Sequence, residues 1–94
     1  MNSYEVLYIL KADMEDEARA DLISRYASLI TDNGGEIESS EEWGIRKFAY
    51  PINYVNEGYY VLVNFKAPAE LIEELTRVFR INENTIRNMI IKRD

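Results

Sequence analysis

Two groups of side chains in this 94-residue chain are dense enough to do chemistry. One is the carboxylate cluster Glu36, Glu38, Glu41 and Glu42, the only close acidic group outside a predicted helix. The other is the stretch GIRKFAYPI, residues 44–52, in which Arg46 and Lys47 stand together and Phe48 and Tyr50 follow. Catalysis needs a nucleophile, a base or a metal. The chain has no cysteine and no histidine, which removes disulfides, thiolates, tetrahedral zinc and imidazole acid–base steps. Carboxylates remain. Glu36 and Glu38 share a strand face, but nothing near them in sequence would drive their pKa values apart, as an acid–base pair requires. A charged edge strand that resists unwanted pairing accounts for them more simply. The sequence therefore predicts no enzyme, no metal, no cofactor and no small-molecule substrate. Arg46 and Lys47 admit two readings, a solvated strand end or the place where the chain meets something negative.

Charge is divided unevenly along the chain. The formal net charge is -6, which opposes autonomous binding of a polyanion. Residues 1–45 carry three basic and eleven acidic side chains, a net of -8, whereas residues 46–94 carry eight basic and six acidic, a net of +2. An acidic first half and a mildly basic second half predict two faces with different neighbours. Helix surfaces made acidic for solubility would give the same imbalance. The start, MNSYEVLYIL, has no positive leader region, and no apolar run approaches the roughly 20 residues that span a bilayer. A cytoplasmic protein with no membrane association is expected, and residues 1–94 have the length of a single domain.

The elements that must carry these residues come in two similar halves. YEVLYILKA (4–12) aligns without a gap on YYVLVNFKA (59–67), and both are β-branched and aromatic, hence strands. Each runs into a helix. Asp13 is the predicted N-cap of the first, with Glu15, Asp16 and Glu17 in its opening turn; its apolar stripe is Ala18, Leu22, Tyr26, Leu29 and Ile30, and Gly34 ends it. The second has Pro68 in its first turn, buries Leu71, Ile72, Leu75, Val78 and Phe79, and closes on Arg77 and Arg80. Strands follow both helices, one from Glu36 to about Phe48 with a bend at Gly44 and an end at Pro51, the other over residues 85–92. The order is β-α-β-β-α-β, an α+β, ferredoxin-like pattern with a four-stranded antiparallel sheet, the first and third strands central and both helices on one face.

That register exposes a second oddity. If Val6, Tyr8, Leu10, Val61, Val63 and Phe65 face the helices, the opposite face presents Leu7, Ile9, Tyr60 and Leu62. A solvated sheet face alternates to polar residues. A contiguous apolar patch on the two central strands marks a contact surface instead, unless a bulge shifts the phase. Two other users of this fold are poorly matched. The loop KADMEDE after the first strand is too acidic to cradle a phosphate, as an acylphosphatase would. EGYYVLVN (57–64) opens like the aromatic signature of RNA-recognition domains, yet it has Glu57, Val61 and Asn64 where that signature has a base and two aromatics.

EEWGIRKFAYPI (41–52) resembles the signature of the bacterial small-subunit ribosomal protein family numbered six: a glycine, a basic pair, leucine, then Ala-Tyr-Pro-Ile. YEV (4–6), GYYVLVNFKAP (58–68), FRINE (79–83) and IRNMIIK (86–92) agree in register across the chain. Phe48 stands where leucine is usual, and Asn2 where the family commonly has a basic residue. The resemblance implies a non-catalytic assembly protein. It would bind the central domain of small-subunit ribosomal RNA as a heterodimer with the small basic small-subunit protein numbered eighteen. It implies that Arg46 and Lys47 neutralise phosphates beside the partner. Arg87 matches a family basic position; Arg80 is a further candidate, although a cation there also stabilises its helix C-terminus. Leu7, Ile9, Tyr60 and Leu62 would be the partner surface. The alternative is a regulatory ferredoxin-like module that self-associates or takes a small ligand through the same face, which has no need of the basic pair.

With few cations to release counterions, the isolated chain is expected to bind RNA weakly. Filter binding at rising salt should show that affinity vanish near physiological ionic strength; tight specific binding by this chain alone would contradict the need for a partner.

Overall fold

A computed structural model of the chain describes residues 1–52 and 55–93. The elements run β1 (Asn2–Lys11), α1 (Asp16–Asp32), β2 (Glu36–Ile52), β3 (Val55–Ala67), α2 (Ala69–Ile81) and β4 (Thr85–Lys92). The predicted order is therefore the observed one. The strands form one antiparallel sheet in the order β2-β3-β1-β4, with β1 and β3 central. No helix among the described residues is long and apolar enough to cross a membrane.

Strand alternation builds the core. Tyr4, Val6, Tyr8 and Leu10 of β1 and Val61, Val63, Phe65 and Ala67 of β3 are all buried, every second residue of each strand. They pack against Leu22, Tyr26 and Ile30 of α1 and Leu71, Leu75 and Phe79 of α2, so both helices cover the same sheet face. Three rings join the layers: Tyr8 lies 5.1 Å from Tyr26 and 5.2 Å from Phe79, and Tyr26 lies 4.6 Å from Phe79. Edge-to-face and tilted contacts of this kind add about 0.5–1.5 kcal/mol each beyond area burial. Truncating Phe79 to alanine would cost about 3–5 kcal/mol.

Helix ends depart from the expectation. α1 begins at Asp16 after an extended Glu15, and no side chain caps it. Asp13 is not its N-cap; residues 12 and 13 form a turn instead. Arg19 takes over the anchoring, donating to the Met14 carbonyl at 3.2 Å and pairing with Asp16. Ala18, predicted for the apolar stripe, is exposed, while Ile23 packs against the core. The stripe is Leu22, Tyr26 and Ile30, four residues apart, flanked by Ile23 and Leu29. Gly34 does end the helix, with φ +87°, and the Gly35 N–H donates to the Ile30 carbonyl at 2.8 Å. Pro68 stands one position before α2, at its N-cap.

β2 is longer than predicted. It continues through Pro51 to Ile52. Proline is tolerated because β2 is an edge strand whose register with β3 breaks between Lys47 and Ile52, so no regular ladder demands its missing N–H. A second break lies at Glu42/Gly44: Glu42 pairs with Val61 and Gly44 with Tyr60, leaving Trp43 as the extra residue of a bulge. Gly44 adopts φ +83°, and a Cβ built there would meet nothing within 4 Å. Space is available; conformation is the constraint. Gly44→Ala is expected to lower stability by about 1–2 kcal/mol through left-handed strain alone, with Gly44→Asn costing less. Urea denaturation checks it, and equal stability for Gly44→Ala would mean that the bulge relaxes.

Candidate interaction face

The residues between the core positions of β1 and β3 point away from the helices. Register ties them into rows. Leu7 stands between Leu62 and Met89, Ile9 between Tyr60 and Arg87, and Glu5 between Asn64 and Ile91. The predicted phase is therefore the observed one, and β4 adds Met89 and Ile91, 58% and 47% exposed, to the apolar surface. Leu7, Tyr60 and Leu62 are half-buried. Ile9 differs. It is only 7% exposed, so it offers little surface to a partner. A Cβ at Gly58 would collide with Ile9 Cγ2 and lie 3.1 Å from Phe48 Cζ, so both side chains crowd over a glycine backbone. Phe48 is half-buried on the same face, its ring 6.2 Å from that of Tyr60.

The ends of this face differ in chemistry. At the end where β1 begins, a polar row spans the sheet: Arg93 donates to Glu5 at 2.7 Å and to Asn64 at 3.2 Å, and Asn64 donates to Ser39 at 3.0 Å. At the other end are Arg46, whose backbone pairs with Gly58, and Arg87 beside Ile9. Among the described residues the ion pairs engage Arg19, Arg77 and Arg93, and none joins Arg46, Lys47, Arg80 or Arg87 to a carboxylate. Those four cations are not one cluster. Arg46 and Lys47 are consecutive in a paired stretch of strand, so their side chains leave opposite faces. Arg46 goes with the open face, its guanidinium 5.6 Å from the Trp43 ring centre. Arg80 is exposed in the last turn of α2, in the helix layer. Of the four, only Arg46 and Arg87 share the open face, three strand spacings (about 14 Å) apart across the sheet and two residues (about 7 Å) apart along it.

Trp43, Phe48, Met89 and Ile91 are surface residues of this face that alternation along the central strands does not single out. For Met89 and Ile91 the signal was the spacing from Arg87, which needed only the phase of β4. Trp43 had no such signal, because a bulge sets its side.

Of the carboxylate cluster, Glu42 makes a structural contact. The Tyr59 hydroxyl donates to Glu42 at 2.7 Å, and the Arg19 guanidinium lies 4.2 Å from the Tyr59 ring centre, so this trio ties α1 to β2 across β3. The bond to Glu42, then burial, raises the Tyr59 pKa, with Arg19 opposing. Among the described residues no group of three or more potential metal ligands converges.

Known proteins are similar to this chain in sequence and in fold. The family model described as Ribosomal protein S6 matches residues 3–92. The small ribosomal subunit protein bS6 of Caldanaerobacter subterraneus subsp. tengcongensis is 48% identical over 94 residues, covering 100% of this chain and 99% of its own. That of Clostridium novyi is 50% identical over 91 residues, covering 97% of this chain and 96% of its own. The crystal structure of 30S ribosomal protein S6 from Thermotoga maritima superposes with a TM-score of 0.93 at 31% identity, over 98% of this chain and 87% of that one. A match to the family over nearly every residue, in sequence and in fold, leaves one assignment: this chain belongs to the ribosomal protein S6 family of the small ribosomal subunit.

Proposed function

We propose that the chain is a structural, non-catalytic constituent of the small ribosomal subunit in the cytoplasm. In this reading it binds the central domain of small-subunit ribosomal RNA together with the small basic ribosomal protein numbered eighteen. One observation carries it: a single sheet face combines an apolar centre with unneutralised cations at one end, on a chain of net charge -6. The apolar centre of Leu7, Leu62 and Met89, with Tyr60 beside it, suits a protein, and the acidic surplus favours a basic one. Ile9 supports that surface from beneath. Arg46 and Arg87 suit phosphates, which the chain as a whole repels. Neither half of the face is sufficient for tight RNA binding. Together with a basic partner they supply one continuous surface. Lys47 and Arg80, on other faces, would meet RNA only if it wraps the edge of the sheet.

The protein half is tested by Leu62→Glu. Leu62 is only partly covered and faces away from the helices, so the free variant should melt near the parent. A carboxylate buried unpaired at an interface costs several kcal/mol, which would weaken heterodimer formation by two orders of magnitude or more. Calorimetric titration with the partner checks this, and a folded variant that binds normally would move the docking surface elsewhere, self-association included.

The RNA half is tested by Arg46→Ala, Lys47→Ala and the pair. Stability should change by no more than about 0.5 kcal/mol. In the partner's presence, the slope of log affinity against log salt should fall by about 0.9 for each phosphate left without its cation. Arg46 should account for most of the change, being the one on the open face. Loss of fold in the double variant would make the pair structural.

A further inference from the structure

We propose that Trp43 and Arg46 form a stacking site for one unpaired base of RNA, a reading that rests on the RNA-binding role of this face. Trp43 is 39% exposed. Its ring is nearly parallel to that of Tyr60, at 10°, with 6.3 Å between ring centres. At that separation parallel rings are offset-stacked, so the indole overlaps the phenol only at its edge and joins β2 to β3 through an aromatic pair. The bulge places Trp43 and Gly44 together opposite Tyr60, and because Gly44 has no side chain, the indole alone fills that position.

The second component is charge. The Arg46 guanidinium lies 5.6 Å from the centre of the indole and has no carboxylate partner among the described residues. A ring that stacks a base beside a cation that takes its phosphate is the minimal equipment for holding single-stranded nucleic acid. A basic protein surface at this spot would set like charge against Arg46, whereas a nucleotide satisfies ring and cation at once. Arg87, on the opposite edge strand, lies too far to serve the same nucleotide and would meet a phosphate farther along the RNA. The aromatics that RNA-recognition domains carry on the third strand are here supplied mainly by the second.

Trp43 is the only tryptophan of the chain, so it reports on its own site. Emission of the wild-type heterodimer would be followed against that of the Trp43→Phe heterodimer, the difference isolating Trp43. The titrants would be central-domain small-subunit rRNA and, at low salt, single-stranded oligoribonucleotides and a fully paired RNA duplex. Expected are quenching by the rRNA and the single strands but not by the duplex, and a loss of about tenfold in affinity for Trp43→Leu with the salt slope unchanged. Stacking carries no counterions, so an unaltered slope separates it from the drop of about 0.7 per phosphate expected for Arg46→Ala on single strands. Normal RNA binding with Trp43 emission unaltered, or normal affinity in Trp43→Leu, would overturn the stacking site and leave the RNA-binding face intact. Quenching by the partner protein alone would assign the indole to the protein interface and overturn it equally. Absence of RNA binding by the wild-type heterodimer would sink both readings. If Trp43→Leu does not fold, the emission of the wild type decides.

Discussion

Contact among Tyr8, Tyr26 and Phe79 is the constraint on which the rest of the molecule depends. One ring comes from the central strand β1 and one from each helix. Their meeting fixes both helices over a single face of the sheet, and everything about the other face follows. Burial supplies the driving force; the rings supply the geometry. Tyr26 further bonds Thr85 at 2.5 Å, which ties α1 to the start of β4. Because burial raises the pKa of Tyr8 and Tyr26 above the ordinary phenol value, folding favours their neutral forms. That contribution is complete below about pH 10, where the unfolded phenols begin to ionise, and is lost as pH climbs from there toward the raised folded values. The core is therefore indifferent to acid and vulnerable to strong alkali.

With one face committed, the apolar residues of the other cannot be explained by folding. Leu7, Leu62, Met89 and Ile91 would normally be polar on a solvated antiparallel sheet. Their cost in solubility is balanced by the acidic surface elsewhere. The same face grades from a closed polar row at Arg93, Glu5, Asn64 and Ser39 to Arg46 and Arg87, which have no carboxylate partner among the described residues. On the proposed reading, a partner crossing this face would meet bonded polar groups at one end and charge at the other, which would give docking a direction.

Much of this was legible in the residues. Period-two alternation in YEVLYILKA and YYVLVNFKA gave the phase of both central strands correctly, because two buried faces and two similar segments leave little freedom. The helices were legible through Leu22, Tyr26, Ile30 and Leu71, Leu75, Phe79, whose fourfold spacing outweighs individual propensities. Their starts were not. Asp13 has the side chain of a cap, but Arg19 reaches back to Met14 and Asp16, a local contact that starts the helix at Asp16 without a capping side chain. Pro51 misled for a similar reason: it breaks a ladder only where a ladder exists. In the interaction face, Leu7, Tyr60 and Leu62 followed from alternation, while Ile9 and Trp43 depended on irregularities. Ile9 and Phe48 both come close over Gly58, where a Cβ would leave no room for Ile9, and Trp43 is the extra residue of the bulge between Glu42 and Gly44. Backbone exceptions are local events with distant partners, and a periodic pattern averages over them.

The strand order has a consequence for synthesis. β1 is translated first, yet it lies between β3 and β4, so neither edge of it is satisfied until much of the chain has been made. Antiparallel pairing with β3 becomes available only after residue 58, and the other edge stays open until Thr85–Lys92 has emerged. During that interval a nascent chain presents the unpaired backbone of Tyr4 to Ile9, with apolar side chains above and below it. Folding must then close as a late, long-range event, slower than its two helices would suggest. The growing polypeptide is most adhesive before β3 is made, when both edges of β1 are open, and a pause just upstream of β4 would prolong the exposure of the edge that remains.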